Sequence, residues 1–402
     1  MGSIYSILIT LAIIAFICWL NYRLLSRLFH YYRIQAVRNV YLAFSVITMI
    51  VIGYGWSTRP LFAVPAQNIY LFVVYGALVW LLSQIILLIF QPFIYVAHRL
   101  LIKNKQAGTQ EKNSMVLAMT RRDFLHNTLA VTPLVAFGLS TRGIYEAQFE
   151  MNVVHHSLVV PTLPPNLNGF KIGQISDTHL GPYFDLAKFD RVLSLLLQEK
   201  PDLVVITGDF VDDINLLKPA IDRINELQPL IPLGIYFCYG NHEYFRNIEL
   251  IRAELQKSRL LVLNNTSALI VPGQRPFYLM GVDYPWANAS QRGINVSESK
   301  RQEYFAAASQ NIPPDAFKVL IAHHPDFLID GFAAQIPLTL AGHTHGGQVV
   351  IMGKPIQSSY AYMRGLYREN GVYGYVSSGA GHWFPFRFNC PPEISTFTLV
   401  DR

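Results

Sequence analysis

The sequence predicts an α/β domain that follows a set of transmembrane helices, and three observations indicate this fold class. Of the 402 residues, 51% are hydrophobic and 14% are charged, with a mean hydropathy of +0.27. Ordinary soluble domains carry about 25% charged residues. Long uncharged segments occupy the first third of the chain. Beyond about residue 150, short apolar runs alternate with helical patterns, which favours an α/β domain.

Three segments of the first third are long enough to cross a bilayer, which takes about 17–25 apolar residues. The segments without Asp, Glu, Lys or Arg are residues 4–20, 40–56 and 69–96. A fourth apolar stretch, residues 124–140, includes Pro133. This stretch fits either a retained span or the apolar part of a cleaved signal. We therefore expect a membrane domain over residues 1–145 with three or four spans, and a lipid bilayer as a partner.

The basic residues around these segments predict the topology. Residues 21–40 carry four arginines and no acid, and residues 98–123 carry six basic residues against two acidic ones. Basic loops stay in the cytoplasm. The connection 57–68 has only one basic residue, Arg59, as expected of a loop outside the cytoplasm. These loops predict a multi-pass protein of the cell membrane whose residues beyond about 145 are extracytoplasmic. Much of the net charge of +6 is then a topology signal, so we expect no nucleic-acid partner.

A pair of arginines, Arg121 and Arg122, precedes the fourth stretch in the segment Arg-Arg-Asp-Phe-Leu. This segment resembles the twin-arginine signal of bacterial proteins that are exported in the folded state. Such signals usually open a chain, whereas this one follows three spans. The pair predicts the export machinery as a partner, and an ordinary basic flank at a membrane boundary predicts the same topology.

Residues 150–402 are predicted to form the α/β domain from the periodicity of their apolar residues. Residues 203–206 are continuously apolar, as in a strand that is buried on both faces. Residues 184–200 instead place their leucines and Phe189 on one helical face. The predicted strands are 170–176, 202–207, 235–239, 261–263, 277–282, 317–322, 338–341, 348–351, 373–377 and 394–399, and the predicted helices are 184–200, 213–227 and 246–259.

Polar residues follow the carboxyl ends of five predicted strands, where open α/β sheets bind their ligands. In chain order these residues are Asp177, His179, Asp209, Asn241, His242, His323, His343 and His345. Residues at i and i+2 of an extended segment project to one side. We therefore expect Asp177 with His179, and His343 with His345, each to hold one site from one segment.

Oxygen donors mixed with imidazoles suit Mn, Fe or Zn. The three cysteines form no thiolate metal motif. If Asp209 bridges, the number of ligands fits two divalent ions better than one. Two such ions stabilise the attacking and leaving oxygens of an in-line displacement, which is typical of phosphatases and nucleases.

The series D-x-H, G-D, G-N-H-E, H and G-H-T-H resembles that of the calcineurin-like metallophosphoesterases, and the preceding spans are similar to their membrane-associated bacterial phosphodiesterase branch. The resemblance covers residues 150–402 and implies a four-layer α/β/β/α sandwich of two mixed sheets. It also implies that His242 donates a proton to the leaving oxygen. The implied ligands are Asp177, His179, Asp209 and His345 for one ion, and Asp209, Asn241, His323 and His343 for the other.

Three functions agree with this sequence. The first is a membrane-anchored phosphoesterase that acts on a phosphodiester or a phosphorylated lipid head group through metal-activated water. The second is a pyrophosphatase of a nucleotide-linked lipid, and the third is a non-catalytic membrane sensor or scaffold. Arg387, in a loop rich in glycine, proline and aromatic residues, is a candidate for contacting the phosphate. The substrate, the metal and the oligomeric state do not follow from the sequence.

Overall fold

The chain forms two units in the computed structural model, Met1–Ile144 and Tyr145–Arg402. The structure describes residues 2–57, 68–103, 121–161, 163–286 and 296–401. Most of the predicted loops 57–68 and 98–123 lie outside the described residues.

The first unit is helical. Its helices are α1 (Gly2–Leu28), α2 (Gln35–Ser57), α3 (Asn68–Lys103), α4 (Arg121–Ala130) and α5 (Thr132–Phe149), the last of which continues into the second unit. Three stretches of the described helices are long and apolar enough to cross a membrane, and these are Ile4–Leu28, Gln35–Gly55 and Phe72–Leu100. They overlap the three uncharged segments of the sequence. The fourth predicted stretch is divided between α4 and α5 by a turn at Val131.

Polar side chains are buried where α1, α2 and α3 contact one another. The Asn21 amide donates to Gln84 Oε1 at 2.9 Å, and its oxygen accepts from Gln91 at 2.6 Å. The hydroxyl of Tyr41 donates to the same Gln84 oxygen at 2.6 Å. Because an unpaired amide is costly in apolar surroundings, these contacts determine which faces of the three apolar helices meet.

Two six-stranded mixed sheets form the centre of the second unit. The strands are β1 (Asn152–Val159), β2 (Lys171–Ile175), β3 (Leu203–Thr207), β4 (Ile235–Cys238), β5 (Leu261–Val262), β6 (Thr266–Val271), β7 (Phe277–Gly281), β8 (Phe317–Ile321), β9 (Leu338–Ala341), β10 (Val350–Ile351), β11 (Lys354–Pro355), β12 (Gly365–Glu369), β13 (Val372–Val376) and β14 (Glu393–Val400). The first sheet has the order β1-β14-β2-β3-β4-β5 and the second β12-β13-β9-β8-β7-β6, while β10 and β11 form a hairpin.

Helices cover the outer face of each sheet. They are α6 (Leu186–Gln198), α7 (Leu217–Leu227), α8 (Asn241–Phe245), α9 (Ile248–Gln256), α10 (Glu298–Ser309) and α11 (Phe327–Ala333). Apolar residues of α6, α7 and α9 pack against the first sheet, and those of α10 and α11 pack against the second. A third apolar cluster lies between the two sheets. This order of layers confirms the predicted α/β/β/α sandwich.

Both faces of the central strands are buried, which explains why their sequences are continuous apolar runs. In β3, Leu203 and Val205 pack between the sheets, whereas Val204 and Ile206 contact the helical layer. The alternation of side chains across each strand therefore fills two apolar layers at once. The main-chain groups of the same residues pair with the neighbouring strands, so that the strand ends are held in fixed register.

Several elements went unpredicted because their own sequences are weakly patterned. The α10 sequence is mostly polar, and only Arg301 and Ala308 in it are buried. Strand β1 forms because it pairs along its whole length with β14 at the other end of the domain. Pro219 does not break α7, since it lies in the first turn, where a missing N–H is tolerated.

The apolar layer between the sheets is where we expect the replacement of a large side chain by alanine to destabilise the domain most. Phe317 is fully buried there, with its ring 5.4 Å from that of Phe277. We expect Phe317→Ala to lower the free energy of unfolding by about 3–5 kcal/mol, because it leaves a cavity. The measurement is chemical unfolding of the detergent-purified protein. Leu230→Ala, at a side chain that is 62% exposed, is the control, and equal losses in the two variants would contradict this core.

Candidate metal centre

The predicted site residues lie where parallel strands of the two sheets end. Asp177 and His179 follow β2, Asp209 follows β3, Asn241 follows β4, His323 follows β8, and His343 and His345 follow β9. The two sheets meet at this point, because the backbone N–H of His343 donates to Asp177 Oδ1 at 3.0 Å. One junction therefore brings all seven predicted ligands together.

The chain turns sharply at five of these seven residues. The φ angles are positive at Asp177 (53°), His179 (47°), Asp209 (51°), His343 (75°) and His345 (49°). Non-glycine residues adopt such angles at a cost of roughly 1–3 kcal/mol each, and they do so where the surrounding structure holds them. The expected extended geometry of the i and i+2 pairs is wrong, because left-handed turns aim these side chains into the site.

One group of side chains gathers Asp177, His179 and His345, whose ligand atoms all lie within 4.8 Å of one another. The Nε2 atoms of His179 and His345 are 3.0 Å apart, and His345 Nε2 is 3.7 Å from Asp177 Oδ1. Two imidazole nitrogens and a carboxylate oxygen thus converge on one buried point.

A second group gathers Asp209, His323 and His343 within the same limit. The Asn241 amide oxygen is 3.0 Å from His343 Nδ1 and 3.2 Å from His323 Nε2. The pair predicted to hold one site together, His343 and His345, is therefore split between the two groups.

The carboxylate of Asp209 lies between the two groups. Its Oδ2 is 3.5 Å from His179 Nε2 on one side and 3.2 Å from His323 Nε2 on the other. Its Oδ1 accepts the backbone N–H of His242 at 2.8 Å, which fixes the rotation of the carboxylate. A single oxygen atom therefore faces both sets of imidazoles.

The donor set and its surroundings fit a pair of divalent ions. Asp177 and Asp209 are almost completely buried, and a buried carboxylate requires a compensating positive charge or hydrogen bonds. The backbone also leaves room for these carboxylates, because a Cβ atom on Gly240 would overlap Asp209 Oδ1 and one on Gly342 would overlap Asp177 Oδ2. Carboxylate, amide and imidazole donors are those that Mn, Fe and Zn accept.

Glu243 holds the Asp209 turn without facing the ligand groups. Its buried carboxylate accepts the backbone N–H groups of Asp209 at 3.0 Å, Phe210 at 2.6 Å and Gly240 at 2.7 Å. The turn after β3 is thereby bound to the start of α8. Three backbone donors that have no strand partner are satisfied by one side chain.

Asp212 is a functional residue that the sequence reasoning missed. Its Oδ1 accepts from His242 Nδ1 at 2.7 Å and from Arg246 at 3.0 Å, and its Oδ2 is 3.3 Å from His179 Nδ1. Burial alone would raise the pKa of Asp212, but the imidazoles of His179 and His242 hold it well below its usual value. The sequence feature that could have identified Asp212 is its position three residues after Asp209, in the same loop.

Arg387 is fully buried, so its side chain is not placed to contact a phosphate as predicted. Its guanidinium donates to the backbone carbonyls of His345 at 3.0 Å, Ser378 at 2.7 Å and Gly381 at 2.8 Å. These contacts bind the turn that carries His345 to the loop after β13. Arg387 therefore acts on the position of His345.

Residues 170–347 match the calcineurin-like phosphoesterase family. The chain contains a calcineurin-like metallophosphoesterase domain. Phosphodiesterase YaeI of Escherichia coli is 28% identical over 291 residues, which cover 70% of this chain and 100% of the relative. An uncharacterized metallophosphoesterase of Bacillus subtilis, YkuE, is 28% identical over 298 residues, covering 70% of this chain and 98% of that protein.

A transmembrane protein with a metallophosphoesterase domain from Danio rerio is also 28% identical, over 70% of this chain and 64% of the relative. The three apolar helices, together with such a relative, indicate that this chain associates with a membrane. The predicted enzyme class, a metal-dependent phosphoester hydrolase, is confirmed. The described residues also include buried Asp and His groups that could hold the predicted divalent ions.

The contacts of Asp212 predict that its charge matters more than its shape. We expect Asp212→Asn to lower kcat on bis(4-nitrophenyl) phosphate by about 10- to 100-fold, the usual effect of removing a group that orients a site residue. The cause is the loss of the negative charge beside both His179 and His242. Metal content and turnover are measured together.

The neighbouring Asp213 supplies a matched control. Its side chain accepts the backbone N–H of Asn215 at 3.0 Å and lies outside the ligand groups. Asp213→Asn should leave turnover unchanged. Similar activity of the two asparagine variants would show that Asp212 does not position the site.

Proposed function

We propose that this chain is a membrane-anchored phosphoesterase that uses two metal ions to hydrolyse a phosphodiester or a phosphorylated lipid head group. The observation that carries this proposal is the Asp209 carboxylate oxygen between two groups of imidazoles. A family match and three apolar helices support the catalytic and the membrane parts respectively.

The proposed ligands divide along the two groups of side chains. Asp177, His179, Asp209 and His345 would hold one ion, and Asp209, Asn241, His323 and His343 the other. When bound, the ions supply charge that stabilises the attacking water and the phosphoryl oxygens. The protein holds these side chains in place through turns whose backbone groups are hydrogen-bonded to Glu243 and Arg387.

His242 is proposed as the proton donor to the leaving oxygen. Its Nδ1 is held by Asp212 at 2.7 Å, which leaves Nε2 for the substrate. Burial alone would lower the pKa of His242, but the carboxylates of Asp209 and Asp212 outweigh it and raise the pKa to about 9. A raised pKa favours the protonated imidazole that a general acid requires.

The membrane part of the proposal concerns the substrate and the topology. Membrane association brings the enzyme close to lipid head groups, which favours a phosphorylated lipid over a soluble metabolite. The basic loops favour an extracytoplasmic position of residues 150–402. Export through the twin-arginine machinery remains part of this proposal, supported by Arg121 and Arg122 in the sequence.

The first test separates metal binding from proton transfer. Asp209 faces both ligand groups, so Asp209→Asn should lose metal together with activity. His242→Ala should keep its metal while kcat falls by about 10²- to 10⁴-fold, the usual contribution of a general acid. The fall should be smaller for a nitrophenolate leaving group, which hardly needs a proton.

Elemental analysis and turnover on a nitrophenyl and an alkyl ester give the readouts of this test. His155→Ala is the control, because that histidine is exposed and contacts Glu199 instead of the site. If His242→Ala loses metal, or loses the same activity on both esters, His242 is not the proton donor.

The second test concerns topology. Protease added outside intact spheroplasts should digest residues 150–402. Replacing Arg121 and Arg122 together by Lys keeps the charge and should leave the domain protected, if the export machinery recognises the pair. Protection of the unaltered chain would contradict the extracytoplasmic position. Digestion of both proteins would instead mean that the pair is an ordinary basic flank.

A further inference from the structure

A cavity of about 480 Å³ lies directly beside the metal centre. Its walls include His343 and His345, one from each ligand group. Ligand pockets generally have volumes of about 300–1,000 Å³. A molecule with its phosphate at the metal centre therefore has this cavity within reach of its neighbouring groups.

Half of the side chains that line the cavity are apolar. The others are the two histidines and four neutral polar side chains, Thr344, Gln348, Gln357 and Tyr360. The apolar lining residues are Val349, Ile356, Met363, Trp383, Phe384 and Phe386. No Lys, Arg, Asp or Glu of the described chain lines it. A charged head group would lose its hydration here without gaining a partner of opposite charge, whereas a hydrocarbon group would gain by leaving water.

Two of the polar lining groups are already engaged. The hydroxyl of Tyr360 lies 2.8 Å from His343 Nε2, and the hydroxyl of Thr344 donates to the Met363 carbonyl at 2.5 Å. These bonds turn both groups toward the protein. Beside the amides of Gln348 and Gln357, the cavity thus offers a ligand van der Waals contact and aromatic faces.

The aromatic wall is held in place by the main chain. Phe388 donates its backbone N–H to the Gln348 carbonyl at 2.8 Å, and Val350 donates to the Phe388 carbonyl at 2.9 Å. Arg387, between Phe386 and Phe388, is bound to the carbonyl of His345 at 3.0 Å. These hydrogen bonds join the aromatic wall of the cavity to the segment that carries His345.

The apolar surface continues from the cavity to the outside of the domain. Trp383 is 52% exposed and Ile356 is 64% exposed, although both also line the cavity. Exposed apolar residues next to a pocket are typical of a binding site rather than of a packed loop. A long hydrocarbon group can therefore enter the cavity from outside past lining residues among which there is no Lys, Arg, Asp or Glu.

We propose that this cavity, the apolar slot, binds the hydrocarbon group of a lipid phosphoester while its phosphate lies at the metal centre. Trp383 is the specificity-determining residue of the slot. The proposal rests on the function proposed above and adds the part of the substrate that the enzyme selects. A lipid is favoured as the source because three helices of the chain are apolar enough to span a membrane.

The test compares three diesters with the same leaving group, the methyl, octyl and thymidine esters of 4-nitrophenyl phosphate. The detergent-purified full chain should show kcat/KM at least about 10-fold higher for the octyl than for the methyl ester, equivalent to burying two methylene groups. Trp383→Ala should reduce this preference at least fivefold. Detergent takes up the octyl ester equally in both assays, so the ratio between the two proteins is unaffected.

Ile329→Ala, at a 43% exposed residue of α11, is the control and should keep the preference. Metal content and the unfolding midpoint show whether Trp383→Ala retains the centre and the fold, and Phe386→Ala repeats the test from another wall. Equal rates on the octyl and methyl esters, or equal losses on both in Trp383→Ala, would overturn the slot. A preference for the thymidine ester would identify it as a base-stacking site instead. Hydrolysis of none of the three would count against the proposed function itself.

Discussion

The arrangement of the second unit depends on burying the carboxylate of Asp209 where the two sheets end. Only 2% of this residue is exposed, and a carboxylate removed from water must be compensated by nearby charge and hydrogen bonds. His179 and His323 supply imidazoles from different sheets, and the N–H of His242 supplies a hydrogen bond. Because these partners come from distant parts of the chain, the order and register of the strands have to be correct before the carboxylate is accommodated.

Residues that surround the ligand groups stabilise this geometry. Five left-handed turns are strained, and their backbone groups need partners outside the strands. At the Asp209 turn, Glu243 accepts the N–H groups of Asp209, Phe210 and Gly240. At the His345 turn, Arg387 donates to the carbonyl of His345 and to those of Ser378 and Gly381. Asp212 orients two imidazoles from the side opposite the ligand groups. A rigid surrounding framework explains how strained turns persist at a site where side chains must not move.

The strand ends and the polar residues that follow them could be predicted from the sequence. Buried parallel strands are continuous apolar runs, and the residues that follow them lie together at the carboxyl edge of the sheet. The sequence did not predict how the side chains meet, since positive φ angles at Asp177 and His343 leave no periodic pattern. Arg387 was misassigned for a related reason: a loop arginine that faces a ligand and one that binds backbone carbonyls look alike in sequence. Elements such as α10, with little buried apolar surface, were missed altogether.

The segment between β9 and β10 joins the two kinds of chemistry at this site. His343 and His345 face the buried polar centre, while the same residues and Val349 border the apolar slot. The boundary between a charged and a hydrocarbon environment is thus only a few residues wide, as the two parts of an amphiphilic phosphoester require. Arg387 binds this segment to the aromatic wall. The proposed metal site and the proposed slot consequently share one structural support, the contacts of Arg387 with the carbonyls of His345 and Ser378.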